Sequence, residues 1–308
     1  MSDQRRVVVT GATGLIGRAL CKKLREHGYD VVVFSRSPDK ARQAVPGATE
    51  YVAWQAAETG DWAKAIDGAY AVISLAGASI AGQRWNEAYK QELYDSRIVA
   101  TRGLVKAMEQ AQSKPEVFVS GSAVGYYGWS DDTPLDEDAA PGKDFLAQLC
   151  VDWEREAAAA EQLGIRTSMI RTGIVLDKDE GALSQLLLPF KMFVGGPVLP
   201  GTQWLSWIHL VDQVGIIMLA LEDERVRGAI NATAPAPQTN RDFSATLANV
   251  MGRPSWLPIP GFGLQLLFGE MADALLINGQ RVLPHKADEY GYQFTYPNLE
   301  PALQEILS

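Results

Sequence analysis

The feature that most restricts this chain is a glycine-punctuated junction near its start. Residues 6–10 are a β-branched apolar run, and Thr10-Gly11-Ala12-Thr13-Gly14-Leu15-Ile16-Gly17 follows at once. Helical spacing then sets in over 15–27 at Ile16, Leu20 and Leu24, and residues 31–34 form a second apolar run. Strand, tight turn, helix and strand in that order make one βαβ unit. Glycine at 11 permits the turn, glycine at 14 lets a ligand reach the backbone, and glycine at 17 lets the helix pack closely on the sheet. Exposed amides and the positive end of the helix dipole favour a diphosphate there. Thr10, Gly11, Thr13, Gly14, Leu15, Ile16 and Gly17 are therefore candidate binding residues.

The alternation continues along the chain. Strands are expected near 51–54, 71–75, 116–120 and 167–171, with helices near 62–66, 86–111 and 145–163 between them. Such a rhythm implies an α/β fold of Rossmann type, a doubly wound parallel sheet covered on both faces. Beyond about Val175 glycines and prolines break the pattern, at Gly195, Gly196, Pro197, Pro200 and Gly201 and again from Pro235 to Pro260. We place a nucleotide-binding domain at 1–176, with segments of about 205–235 returning to it. A smaller substrate-side lobe is placed at 177–308, with a distinct C-terminal segment at about 253–302. In doubly wound folds the ligand crevice lies outside the carboxyl ends of the strands, so this lobe would cover the substrate.

The end of the second strand selects between cofactors. An NAD-binding unit usually places Asp or Glu there against the ribose hydroxyls, but this chain reads Phe34-Ser35-Arg36. A hydroxyl and a guanidinium can hold the 2′-phosphate of NADP, which a carboxylate would repel. Leu75-Ala76-Gly77-Ala78, after the fourth strand, resembles the Asn-Ala-Gly segment of the short-chain dehydrogenase/reductase superfamily, which packs beside the adenosine half of the cofactor.

The glycine spacing resembles the extended, epimerase-like branch of that superfamily. The whole chain is similar to one of its atypical families, of poorly defined function, which ends in a small family-specific domain. The marks are Arg84-Trp85-Asn86, Asp95-Ser96-Arg97, Arg171 to Leu176, Gly195-Gly196-Pro197, Trp207-Ile208-His209, Asn231 to Pro235, and Gly269 to Asp273 through Arg281 to Pro284. The resemblance implies that Glu92 and Arg97 face the cofactor from the long helix, Arg97 being suited to a phosphate. It also implies that Asp212 caps the helix after Trp207-Ile208-His209.

Catalysis is less legible. The superfamily's usual shuttle is a Ser or Thr after the fifth strand with Tyr-x-x-x-Lys, but no tyrosine here is followed four residues later by lysine. Ser122 stands where the serine belongs, and Tyr126 and Tyr127 are candidates for the missing acid. No metal cluster emerges from three scattered histidines and two distant cysteines, Cys21 and Cys150. The cysteine usage and a start through Asp3, Arg5 and Arg6 without a leader pattern suggest a cytoplasmic protein with reduced thiols. A net charge of −9 argues against nucleic acid, and no apolar run is long enough to span a membrane. The expected partner is a small-molecule substrate, the oligomeric state being open. The expectation is an NADP-binding epimerase-like or oxidoreductase protein acting on a small polar metabolite such as a nucleotide sugar. The alternative is a non-catalytic NADP(H) sensor, some relatives being linked by name to cell division.

Overall fold

The computed structural model describes residues 5–56 and 60–308. Residues 1–4, part of the start read for a leader, lie outside them. Seven parallel strands form the central sheet: β1 Arg6–Thr10, β2 Asp30–Ser35, β3 Glu50–Ala53, β4 Ala71–Ser74, β5 Val117–Ala123, β6 Arg166–Thr172 and β7 Gly228–Ala232. Their spatial order is β7-β6-β5-β4-β1-β2-β3. The strand order reverses at β1, between β4 and β2, which is where a doubly wound sheet opens its ligand crevice.

Near-continuous valine and isoleucine suit strands buried on both faces. Val7 and Val9 point into one core with Leu20 and Leu24 of α1 (Leu15–Glu26), while Val8 points into the other with Leu104 and Met108 of a long helix. In between lies α2, Pro38–Ala44, which the sequence reading leaves as loop. Its seven residues bury only Ala41, so no apolar periodicity announces it. The segment expected as a helix at 62–66 is a 3₁₀ turn, Asp61–Ala65. The long helix α3, Glu87–Gln110, begins at an Asn86 side chain that accepts from the Tyr89 amide at 2.8 Å. It packs on α4, Phe145–Ala158.

The later part of the chain divides its duties. Helix α5, Gly181–Lys191, lies in the lobe, whereas α6, Leu210–Glu222, packs against α1 beneath the sheet and leads to β7. Helix α7, Asn240–Met251, shares a separate core with α5 and the terminal helix Leu299–Leu307. Trp207 is fully buried in that core. Short ladders join the lobe to the rest: Trp207–His209 runs parallel to Ile174–Leu176, and Arg281–Val282 parallel to Pro134–Leu135. Helix α8, Gly261–Phe268, has no buried residue and lies on the surface.

Asp212 does not cap α6. His209 does, its Nδ1 accepting from the Val211 amide at 3.1 Å, while its Nε2 meets Glu305 at 2.9 Å. The fully buried Asp212 instead accepts from the backbone amides of Thr295 and Tyr296, at 2.8 and 2.9 Å, and from the Tyr292 hydroxyl at 3.0 Å. One carboxylate thus fastens the end of the chain to α6. Because hydrogen bonds to a charged group contribute about 1.5–3 kcal/mol each, we expect Asp212→Ala to lower unfolding free energy by about 3 kcal/mol or more in urea titration. Limited proteolysis should then cut first within 290–308.

Candidate functional site

The first turn of α1 has no side-chain cap and no acid, so its amides are left to a ligand. Gly11 has φ +69°, and a Cβ there would lie 2.6 Å from the Leu75 carbonyl carbon. At Gly17 a Cβ would lie 2.6 Å from the Ala12 Cα. Gly14 differs: its nearest protein neighbour would be the Gly11 oxygen at 3.4 Å, so the protein leaves that place open. Two of these glycines serve the packing of loop, helix and sheet, and the third faces a vacant approach.

A cavity of about 370 Å³ covers this loop, walled by Gly11, Gly14 and Leu15 and on the lobe side by Val175, Gly181 and Ala182. A second, of about 350 Å³, runs on towards Ser122 and the lobe. Ile16, Leu75 and Ile174 line both, so one groove crosses the carboxyl edge of the sheet. Arg36 stands beyond β2, exposed and without a hydrogen-bond or ionic partner among the described residues. The Ser35 hydroxyl turns back on its own loop, donating to the Ser37 carbonyl and accepting from the Ser37 amide, each at 3.2 Å. Thr10 Oγ1 accepts from the Ala76 amide at 3.2 Å and so positions the Leu75-Ala76-Gly77 turn.

Glu92 and Arg97 part company. Five helical residues turn the chain by about 140°, so the two cannot share a narrow face. Glu92 is exposed and lines neither cavity. Arg97 is buried on the wall of the second, packed over the Trp153 ring at 5.3 Å and donating to the carbonyls of Leu93 and Ala78, each at 3.0 Å. It has no carboxylate partner there, and burial lowers its pKa. A buried guanidinium held only by carbonyls and the Ser96 hydroxyl can accept an anion from the groove.

Ser122 also lines this second cavity, and its hydroxyl donates to Glu154 Oε1 at 2.6 Å. Glu154 is gripped by Arg171 through two parallel bonds of 2.8 Å. Arg171 Nη1 donates to the Tyr127 hydroxyl at 2.9 Å, which donates in turn to Asn231 Oδ1 at 2.6 Å. Tyr127 is therefore a buried strut rather than a free acid, and burial pushes its pKa up to about 12. Tyr126 stacks under the Arg171 guanidinium at 3.5 Å and lines none of the cavities.

The face of α4 turned to the cavity carries Leu146, Leu149, Cys150 and Trp153. Its pairs four residues apart are Leu146 with Cys150 and Leu149 with Trp153, neither of which contains a tyrosine or a lysine. Among the described residues on this wall only Arg97 and Cys150 titrate. Burial pushes the Cys150 thiol up to about 12. Glu154 and Arg171 escaped the sequence reading. The signal was present in Glu154, which sits on the stripe Leu146, Cys150, Trp153, Ala157, where an unpaired charge would be unfavourable. Also unforeseen is Arg18, which donates to the Thr13 carbonyl at 2.8 Å and to Glu180 of the lobe at 2.6 Å, beside the groove.

Comparison with known proteins places this geometry. The NAD dependent epimerase/dehydratase family model matches residues 7–232. The chain belongs to that family. Residues 259–306 match a domain of unknown function, DUF1731. The chain is 42% identical over 307 residues to an epimerase family protein, the chloroplastic SDR39U1 homolog of Arabidopsis thaliana, covering 99% of this chain and 87% of that one. It is 39% identical to the epimerase family protein YfhF of Bacillus subtilis, covering 98% of each. The crystal structure of human epimerase family protein SDR39U1 with NADPH superposes with a TM-score of 0.86, at 34% identity and 98% coverage of both chains. The atypical, epimerase-like family expected from the motifs is the one matched.

Two measurements test the site's electrostatics. Glu154→Gln removes the charge opposite a buried guanidinium, which costs about 3–5 kcal/mol, and should lower the urea midpoint accordingly. Arg171→Lys should fare no better, since an ammonium cannot make the paired bonds. The alkaline limb of stability begins with Cys21 and Cys150, both held up to about 12 from 9.0 by burial, and continues with Tyr29, Tyr127 and Tyr292, raised by burial first. The fold keeps protons that the unfolded chain gives up first, so stability is complete below about pH 8.5 and falls as pH rises towards 12. The Cys21→Ala, Cys150→Ala double variant should show a shallower fall between pH 8.5 and 10.

Proposed function

We propose that the chain is an NADP(H)-dependent oxidoreductase of the epimerase type, acting on a small polar metabolite held between Ser122 and the lobe. The reading rests above all on the continuous groove from the bare backbone at Gly14 to the cavity wall at Ser122. Crystallisation of the human relative with NADPH supports the choice of nucleotide. On this reading the amides of residues 15–17 hold the diphosphate, which approaches over Gly14, and Arg97 reaches it from α3. Arg36, whose guanidinium is otherwise unengaged, takes the 2′-phosphate with Ser35 beside it. Leu75, Ala76 and Gly77 pack the adenosine half. When bound, the nicotinamide supplies or accepts a hydride.

Ser122 spends its proton on Glu154, so towards the substrate it offers lone pairs and accepts from an alcohol. Arg171 fixes the position of Glu154 through its two bonds, and thereby orients the serine. Trp85, Trp129 and Phe145 wall a side cavity of about 130 Å³ that shares Leu146, Asn278 and Gln280 with the main one and extends the substrate end. A second reading, a nucleotide-binding sensor without turnover, is favoured by one observation: the cavity face of α4 carries Leu146, Leu149, Cys150 and Trp153, with neither tyrosine nor lysine.

The nucleotide half is tested by titration calorimetry. Arg36→Ala should weaken NADPH by about 1–3 kcal/mol and leave NADH nearly unchanged; equal weakening of both removes Arg36 from the phosphate site. The reaction half is tested by NADPH oxidation against a panel of small aldehydes, ketones and sugars. Ser122→Ala should lower kcat at least tenfold with NADPH affinity intact. Tight NADPH binding with no turnover across the panel would favour the sensor.

A further inference from the structure

All the large apolar side chains exposed among the described residues, save Trp129 and Val211, lie in two stretches, 188–199 and 256–268. The stretches touch. Trp256 Nε1 donates to the Phe193 carbonyl at 2.9 Å, and the Leu199 amide donates to the Ile259 carbonyl at 2.9 Å. Their side chains thus form one surface, rising to 75% exposure at Phe262 and 78% at Leu266 on α8. A patch of this breadth on a water-soluble lobe marks a contact with something else.

Its charge says what kind. Across the two sequence intervals that build it, from Glu180 to Asp212 and from Asp242 to Glu270, there is no Asp or Glu between the bounding acids, although the chain carries 37 acidic residues. Lys191 is exposed within the patch and Arg253 lies over the Phe193 ring at 4.6 Å. Arg241, also exposed, borders it at Pro200. At the edges Glu270 pairs with Lys90 at 2.5 Å, Asp273 accepts from Gln265 of α8 at 2.7 Å, and Asp242 accepts from the Thr239 hydroxyl. Within the two stretches themselves a second copy would offer these cations no carboxylate in return. Phe193 adds an independent sign, being the one non-glycine among the described residues at positive φ, +63°. A bulky residue is held there against its backbone preference while half its ring faces outward.

Aromatic and leucine side chains from two stretches without an acid of their own, fringed by lysine and arginine, fit the boundary between lipid headgroups and acyl chains. We propose that this face docks the protein onto an anionic lipid surface, with α8 and the turn at 192–194 entering the headgroup layer and Lys191, Arg241 and Arg253 facing its phosphates. No spanning segment is required, and no helix of the described residues is long and apolar enough to be one. The absence of a membrane partner expected from the sequence followed only from the lack of a span. Since α8 leads through Met271 and Ala272 to Ala274, Leu275 and Asn278 of the cavity wall, docking would also bear on the substrate end of the groove.

The experiment is co-sedimentation of the full chain with vesicles of phosphatidylglycerol and phosphatidylcholine, against pure phosphatidylcholine, with light scattering of the free protein alongside. Binding is expected to the anionic vesicles only and to weaken as salt rises. Phe262→Ser with Leu266→Ser should reduce it at least tenfold, and Lys191→Gln with Arg253→Gln severalfold, with melting temperature and NADPH binding as in the parent. Failure to sediment with either vesicle overturns the proposal, as does equal binding to both, or binding undiminished in the apolar variant. A dimer that the apolar variant converts to a monomer, without vesicle binding, overturns it in favour of a face between copies.

Discussion

The paired bond between Arg171 and Glu154 is the constraint around which the site is built. It stands at the carboxyl end of β6, where a buried cation needs both an anion and full hydrogen bonding. Glu154 supplies the anion from α4, Tyr127 and the Glu137 carbonyl complete the donors' partners, and Asn231 brings in β7. The Asn231 amide donates to Glu137 at 2.9 Å and its side chain to the Leu283 carbonyl at 2.9 Å. Helix, sheet and C-terminal segment therefore meet at one charge, and Ser122 takes its direction from the same carboxylate.

This arrangement separates two roles that the superfamily usually combines. In the ordinary shuttle, tyrosine and lysine on the helix next to the cofactor both organise the wall and move the proton. Here α4 organises through an inward-facing Glu154 one turn away from the cavity face, and that face is left to leucine, thiol and indole. The cavity face of α4 is thus mostly apolar, and the Ser122 hydroxyl is already committed to Glu154. Donors free to meet a ligand lie further along the groove, at Arg97 and at the first turn of α1.

What could be read from the sequence follows the reach of each signal. The first βαβ unit was legible almost to the residue, because Val7 to Val9, the glycines and Leu20 to Leu24 are local patterns with one geometric solution. The family was legible from motifs scattered over the chain. Helix α2 was not, since a short polar segment burying one alanine leaves no periodicity. Asp212 sits where a helix-opening acid belongs, yet its partners lie more than eighty residues later, and nothing near it in sequence could reveal them. Glu92 and Arg97 are close in the chain but turned apart by helical pitch, and Tyr127 looks like an acid until Arg171 and Asn231 are brought against it.

The fastening of Thr295 and Tyr296 to Asp212 has a temporal side. Helix α6, which leads to β7 and completes one of the cores, is stitched to a stretch more than eighty residues further along the chain. A chain emerging from the ribosome can assemble β1 to β6 early, but the charge at Arg171 must wait for Asn231, and α6 for the tail. The order of these residues along the chain therefore sets the order in which the two buried charges can be satisfied, Arg171 first and Asp212 after it.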